Sequence, residues 1–435
     1  MTSTEETYRA RTPKSRVAFE RAGRVLPAVA KGAYYYAPYP VVIDHAEGCY
    51  LYDVDGNRYV DFANHHTAQI LGHRHPAVME AIDRQMAKGI AVGAPMGIET
   101  ELAEELCRRV PSVELIRFCN SGTEATLHAI RLARGFSGKP KIAKFEGAYH
   151  GSHDAVEISV FPDVSKAGPA DAPFPVPTTG GLAPHATEEI VLLPYDNEAA
   201  VEQLIATHSN ELACVLLDPK AGILPLRPEF VHFVRETTRK HGVLLIFDEI
   251  VSFRAGTGGL QAHFGLTPDL TTFGKIIGGA FPVGAFGGRK DILSLLDPSQ
   301  GPTGFSQSGT FSAHPVAMAA GLAMLRQLTP EAFAHLDRLT ERLVRSVAAL
   351  SGRTGVSLTA VASASAFSLY FTDQELRTYR DLAATDKSRV REVFLKLLNA
   401  GYYLSAGLGM NSFSLPMTEA HVDGLTEALE RAVTV

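Results

Sequence analysis

An α/β fold is what this 435-residue chain predicts: a mostly parallel central sheet with helices on both faces, and a smaller α+β domain. Three observations lead there. Short, mostly apolar runs recur through the middle of the chain: Leu115-Ile-Arg-Phe118, Lys141–Phe145, Ala213-Cys-Val-Leu-Leu217, Val243-Leu-Leu-Ile-Phe247 and Leu270-Thr-Thr-Phe273. Strands covered on both faces read this way, because neither side meets water. Helix-like stretches separate them, one continuing to about Phe136 and another from Pro228 to His241, and such alternation is the mark of crossover connections in a parallel sheet. The length, finally, exceeds one small domain.

Taken in order, the chain opens with a hairpin pattern. Gly48-Cys-Tyr-Leu-Tyr-Asp53 and Arg58-Tyr-Val-Asp-Phe62 flank the turn Val54-Asp-Gly-Asn57. A helix is expected from Pro76 to Lys88, stopped by Gly89. The apolar runs follow, interrupted between Phe161 and Pro184 by a Pro- and Gly-rich excursion that reads as a surface loop or as the border of a site. Beyond Pro315 the pattern is helical to about Leu328, with further helices near 331–350, 388–400 and 418–433. The expected division is an N-terminal segment of the small domain at 1–75, a large domain at 76–318 and a C-terminal small domain at 319–435.

Composition removes whole classes. Forty-one basic against 47 acidic residues gives a net charge of −6, the wrong sign for a general nucleic-acid binder. The start, Met1 to Arg16, has no apolar core of a leader, and runs such as Val243–Phe247 are too short to span a bilayer. A cytoplasmic protein without a membrane segment is therefore expected. The four cysteines are scattered and suggest neither a disulfide framework nor a zinc site. His65, His66, His73 and His75 lack a completing Cys or carboxylate pattern, so no metal is expected.

Four places carry chemistry. Asn120-Ser-Gly-Thr-Glu-Ala125, between a strand and a helix, reads either as a phosphate cup at a helix N-terminus or as an ordinary N-cap. Asp248 ends the most apolar run, at the edge where open α/β sheets bind ligands; a structural ion pair is the other reading. Lys275 closes an apolar strand and enters the glycine-rich Gly274-Lys-Ile-Ile-Gly-Gly279, where desolvation would make its amine a nucleophile. That segment is no dinucleotide fingerprint, since it lacks the GxGxxG order. In Gly147-Ala-Tyr-His-Gly151, Tyr149 is placed to stack on a flat ring or to sit in a plain turn.

In order and spacing these motifs resemble the class III aminotransferases, pyridoxal-phosphate enzymes of fold type I with the aspartate-aminotransferase fold. The resemblance runs from the Tyr52–Phe62 hairpin and Leu71-Gly-His-Arg-His-Pro76 to Ser308-Gly-Thr-Phe-Ser-Ala-His-Pro315. Within the family the pattern is similar to β-phenylalanine aminotransferase and glutamate-1-semialdehyde aminomutase. It implies that Lys275 holds pyridoxal 5'-phosphate as an aldimine and that Asp248 pairs with the pyridine nitrogen. Ser121, Gly122 and Thr123 would bind the phosphate, and Tyr149 and Ile250 would cover the two ring faces. Thr310 would reach the cofactor of the neighbouring subunit in a homodimer. The implied reaction moves an amino group from an amine or β-amino acid with an apolar or aromatic side to a 2-oxo acid, through pyridoxamine phosphate. Intramolecular transfer of the aminomutase type is the alternative, and a non-catalytic homologue that only binds the cofactor a minor one.

Departures from the family pattern bear on substrate. Where relatives place an arginine for a carboxylate, the nearest base here is Lys31, and Tyr36 with its neighbouring tyrosines would line an apolar pocket. Ser405-Ala-Gly-Leu-Gly-Met-Asn411 also lacks an arginine. Asp218-Pro-Lys-Ala-Gly222 replaces the usual Glu-Pro-Val-x-Gly, and neither Ala221 nor Ile223 can supply the amide donor that relatives offer nearby. Lys220 is read as a salt-bridged surface lysine, and His314 stands where Asn is common.

Overall fold

The computed structural model describes residues 3–434 apart from 221 and 302, so Ala221 lies outside the described residues. The chain divides into two compact units. The larger comprises Ala77–Pro330 and Glu375–Ala384; the smaller comprises the chain up to Pro76, Glu331–Gln374 and the chain from Thr385 on.

In the smaller unit, β1 (Ile43–Glu47), β2 (Tyr50–Asp53) and β3 (Arg58–Asp61) form an antiparallel meander. The turn between β2 and β3 is set by Asp53, whose Oδ1 accepts from the backbone N–H groups of Asp55 and Asn57 at 3.0 and 2.7 Å. Gly56 supplies the positive φ of 89° that this turn needs. In the helix Pro330–Thr354, Leu336, Leu339, Leu343, Val347 and Leu350 are buried, the three-and-four spacing of a stripe packed on a core.

The larger unit is built on seven strands: β4 (Leu115–Cys119), β5 (Lys141–Phe145), β6 (Ile190–Leu193), β7 (Leu212–Leu217), β8 (Leu244–Asp248), β9 (Leu270–Gly274) and β10 (Gly284–Gly288). Their order is β4-β10-β9-β8-β7-β5-β6. All neighbours from β9 to β6 are parallel, and β10 runs antiparallel to both β9 and β4. Every residue of β7, β8 and β9 is buried, which is why these strands read as mostly apolar runs without polar alternation. Helix Gly122–Ser137 packs on β7, β9 and β10. Because β4 is antiparallel to β10, it points the same way as β9. The carboxyl ends of β4, β5, β7, β8 and β9 therefore share one edge.

The larger unit does not end at 318. Helix Pro315–Gln327 packs on helix Gly97–Arg109 and on the turn Lys275–Gly278, where Gly321 lies so close to the Ile277 carbonyl that a Cβ would stand 1.9 Å from it. The segment at 375–384 also belongs here and not to a continuous C-terminal domain. Arg380 pairs with the buried Glu146 through two hydrogen bonds of 3.0 and 3.1 Å, and Tyr379 presses on Gly147.

Candidate active site at the carboxyl edge of the sheet

Each strand end delivers one part of the site. After β4 the chain enters helix Gly122–Ser137, with Ser121 as N-cap; its hydroxyl accepts from Glu124 N at 3.1 Å. The hydroxyl of Ser121 thus caps the helix, while Gly122 and Thr123, in its first turn, carry amides that lack intrahelical acceptors and favour an anion. Gly122 is required by crowding: a Cβ there would lie 2.7 Å from Cδ1 of Ile250. Gly151, at φ +104°, is pressed equally close to the Cα of Thr123, whose hydroxyl accepts from Ser152 N at 3.2 Å.

After β5 comes the turn that carries Tyr149 and His150. Tyr149 is 52% exposed and bonds through its hydroxyl to Ser152 at 3.2 Å. His150 is buried, with Nδ1 2.7 Å from Oδ2 of Asp248 and Nε2 buried without a partner. A carboxylate only accepts, so Nδ1 carries the proton that joins them.

Asp248 ends β8 at 6% exposure. Its other oxygen accepts from Ile250 N at 3.1 Å and from the Thr272 hydroxyl at 3.0 Å. Thr272 is its register partner on β9, three residues before Lys275. Lys275 itself is half-buried and holds φ at +51°, a left-handed conformation uncommon outside glycine, where β9 turns into the 3₁₀ helix Lys275–Gly278. Beneath the site Glu249 is fully buried, and burial pushes its carboxyl up to about 7. It accepts from Gln261 N at 2.7 Å and meets the Ser252 hydroxyl, bracing the loop after β8.

Lys220 corrects the reading from sequence. It is 4% exposed, not a surface residue; its amine donates to the carbonyl of Gly147 and stands 5.6 Å from the centroid of the Tyr195 ring. Burial lowers its pKa, opposed by the charge of Asp218.

The remaining candidates lie elsewhere. Thr310 is exposed, beside Phe311 at 60% exposure, and makes none of the contacts described above. Lys31 and Tyr36 belong to the smaller unit. Lys31 is exposed, its amine 4.8 Å from the centroid of the Tyr34 ring, and partial burial lowers its pKa. Tyr36 is buried, and its hydroxyl accepts from Val41 N at 2.8 Å, so that oxygen is committed to the fold. The Tyr36 ring nonetheless borders an apolar cavity of about 520 Å³ that is also lined by Phe19, Tyr34, His65, His66 and Tyr403. His73 is tied to Asp61 at 2.8 Å. Among the described residues no group of three His, Cys, Asp or Glu side chains stands where it could hold a metal ion.

Sequence reasoning passed over His150 and Thr272. His150 sat inside a quoted motif with a visible neighbour in Tyr149, but its partner is 98 residues away. Thr272 looked like any strand threonine until the register set it beside Asp248.

The model of the aminotransferase class-III family matches residues 32–433. An omega-transaminase from Sphaerobacter thermophilus is 40% identical, with a TM-score of 0.93 over 96% of this chain and 97% of that one. A β-phenylalanine aminotransferase from Variovorax paradoxus is 36% identical, with a TM-score of 0.88 over 98% and 95%. A glutamate-1-semialdehyde aminomutase from Pseudomonas aeruginosa is 25% identical, with a TM-score of 0.89 over 99% and 96%. Sequence, fold and the order of groups along the sheet edge agree, and the chain belongs to the class III aminotransferases, a family of pyridoxal-phosphate enzymes.

Proposed function

We propose that this transaminase moves an amino group from an amine or β-amino acid with an apolar or aromatic side to a 2-oxo acid. The observation that carries the reading is the convergence of three groups on one sheet edge. They are Lys275, the buried Asp248 held by His150, Thr272 and Ile250 N, and the free amides at the start of helix Gly122–Ser137. This edge fits pyridoxal 5'-phosphate on its own evidence. A buried carboxylate fixed by three donors suits a protonated ring nitrogen, and Gly122 and Gly151 pack so closely on Ile250 and Thr123 that a Cβ at either would collide.

Bound there, the cofactor supplies an electron sink for the bond broken at the amino carbon. The residues do the rest. Asp248 would pair with the ring nitrogen, and His150 fixes the orientation of that carboxylate. Amides of Gly122 and Thr123, with the helix dipole, would hold the phosphate. Tyr149 and Ile250 would flank the ring. Lys275 would anchor the cofactor and, as a free amine, would carry the proton away from the amino carbon of the donor. Thr310, exposed in its turn, serves the partner's cofactor in a homodimer. The protein works in the cytoplasm without nucleic acid; among the described residues no helix is long and apolar enough to cross a membrane.

The substrate reading rests on the chain itself, where Lys31 offers a point charge in place of a bidentate arginine and Tyr36 with its neighbouring tyrosines supplies apolar surface. A spectral screen of amines and β-amino acids tests the whole reading. Loss of the visible band of the lysine-linked cofactor on adding a donor, and its return with a 2-oxo acid, is the expected result. An isomer released with no acceptor present would establish the aminomutase reaction, and a band that no donor alters would leave only cofactor binding.

A further inference from the structure

Burying an amine is costly, and Lys220 is buried in a left-handed conformation with φ at +50°. That backbone is fixed on both sides. Asp218 Oδ1 accepts from Lys220 N at 2.8 Å, and the Lys220 carbonyl accepts from the amides of Ile223 and Leu224 at 2.9 and 3.0 Å. The result is an amine brought from the end of β7 to the end of β5. Among the described residues Gly147 O is its one hydrogen-bond acceptor, with the face of Tyr195 beside it. Tyr195 is anchored in turn, its hydroxyl donating to the Asp218 carbonyl at 2.9 Å.

The next carbonyl is held in the same way. Lys144, buried within β5, donates to Ala148 O at 2.8 Å, to Val156 O at 3.2 Å and to Ile158 O at 2.5 Å. Successive peptide groups leaving β5 are therefore each gripped by a buried lysine. The residues that follow are Tyr149, whose ring is half-exposed with one weak side-chain bond, and His150, whose Nδ1 meets Asp248. Tyr149 has little packing to set its own place, so the backbone of the turn must set it, and the buried His150 leaves the same turn.

We propose that Lys220 is a positioning residue: by holding the Gly147 carbonyl it fixes the turn that carries Tyr149 and His150, and through His150 the carboxylate of Asp248. This rests on the cofactor reading above. Lys220 needs no contact with substrate. Its place in the sequence, where the family pattern carries Val, makes it a feature of this chain.

The test compares Lys220→Met, which keeps the volume but not the donor, with Lys220→Arg, which keeps a donor and the contact with Tyr195. Amide exchange is followed by mass spectrometry in the full-length, cofactor-free protein, and pyridoxal phosphate affinity is measured separately. In Lys220→Met, exchange across 147–152 should rise about tenfold, while strand 244–248 stays as in the wild type. Cofactor affinity should fall by about tenfold, with Lys220→Arg recovering most of both. Unchanged exchange in a folded Lys220→Met protein overturns the proposal, even if cofactor affinity falls. If Lys220→Met fails to fold, Lys220→Gln is used, which keeps a short donor and should exchange at an intermediate rate. Failure of both to fold would make Lys220 a core residue only and also overturn it. A wild-type protein that binds no pyridoxal phosphate would defeat the cofactor reading alone, since the exchange measurement needs no cofactor.

Discussion

At the carboxyl edge of the seven-stranded sheet, polar side chains are buried and committed. Asp248 has three donors, Lys144 three acceptors, and Glu146 a two-point bond to Arg380. The cavity of the smaller unit is the reverse, walled by rings and methyl groups, with few charges in reach. Groups that take part in bond breaking must be held in place before substrate arrives, because reorganising them during the reaction would raise the barrier. Selection among substrates by an apolar pocket needs only shape, and shape changes readily by substitution. On the proposed function, damage to the first region should therefore appear in the chemical step or in stability, and damage to the second in the choice and affinity of donor.

The largest effect expected is that of Lys275→Ala, which on the proposed function would remove both the anchor and the proton carrier. Turnover should fall by more than about 10³-fold, together with loss of the visible band, measured on the purified variant with the best donor. Arg380→Ala should instead strike stability. It leaves the Glu146 carboxylate buried and unpaired and takes the Arg380 donor from the carbonyls of Gly168 and Pro169. A loss of about 3 kcal/mol is expected in denaturant unfolding.

Asp248→Asn keeps the shape of the site but not its charge. A drop of about 10²-fold in kcat is expected, with the KM for donor nearly unchanged; an equal rise in KM would mean that Asp248 serves binding. Lys31→Ala is the smallest and reverses the pattern. The KM for a donor bearing a carboxylate should rise by about threefold to tenfold with kcat intact, and a simple amine should show no change. A loss of kcat there would break the contrast between the regions.

Much of this was legible in the chain. Strands β5, β7, β8 and β9 announced themselves because both faces are covered, and Asp248 and Lys275 stood out as polar residues ending apolar runs. The hairpin at 50–61 followed from Asp53 and Gly56, whose side chain and missing side chain act within a few residues. What escaped notice depended on distant partners. Lys220 looked like a surface lysine because lysines in loops usually are, and only the neighbouring strand ends revealed its buried amine. Tyr36 read as a pocket residue; its ring does border the cavity, yet its hydroxyl is spent on Val41 N. Segment 375–384 sits with the larger unit through Arg380 and Glu146, residues 234 positions apart.

By itself the sequence determined that a mostly parallel sheet forms, the order of the candidate groups along the chain and the resemblance to the family, because apolar periodicity and turn residues act locally. Tertiary structure alone decided which polar groups meet: His150 with Asp248, Thr272 with Asp248, Lys220 with Gly147. Those pairings depend on strand order and register. Parallel neighbours such as β5 and β7 are separated by whole crossover connections, and no local pattern encodes which carboxylate or carbonyl will stand at the next strand's end.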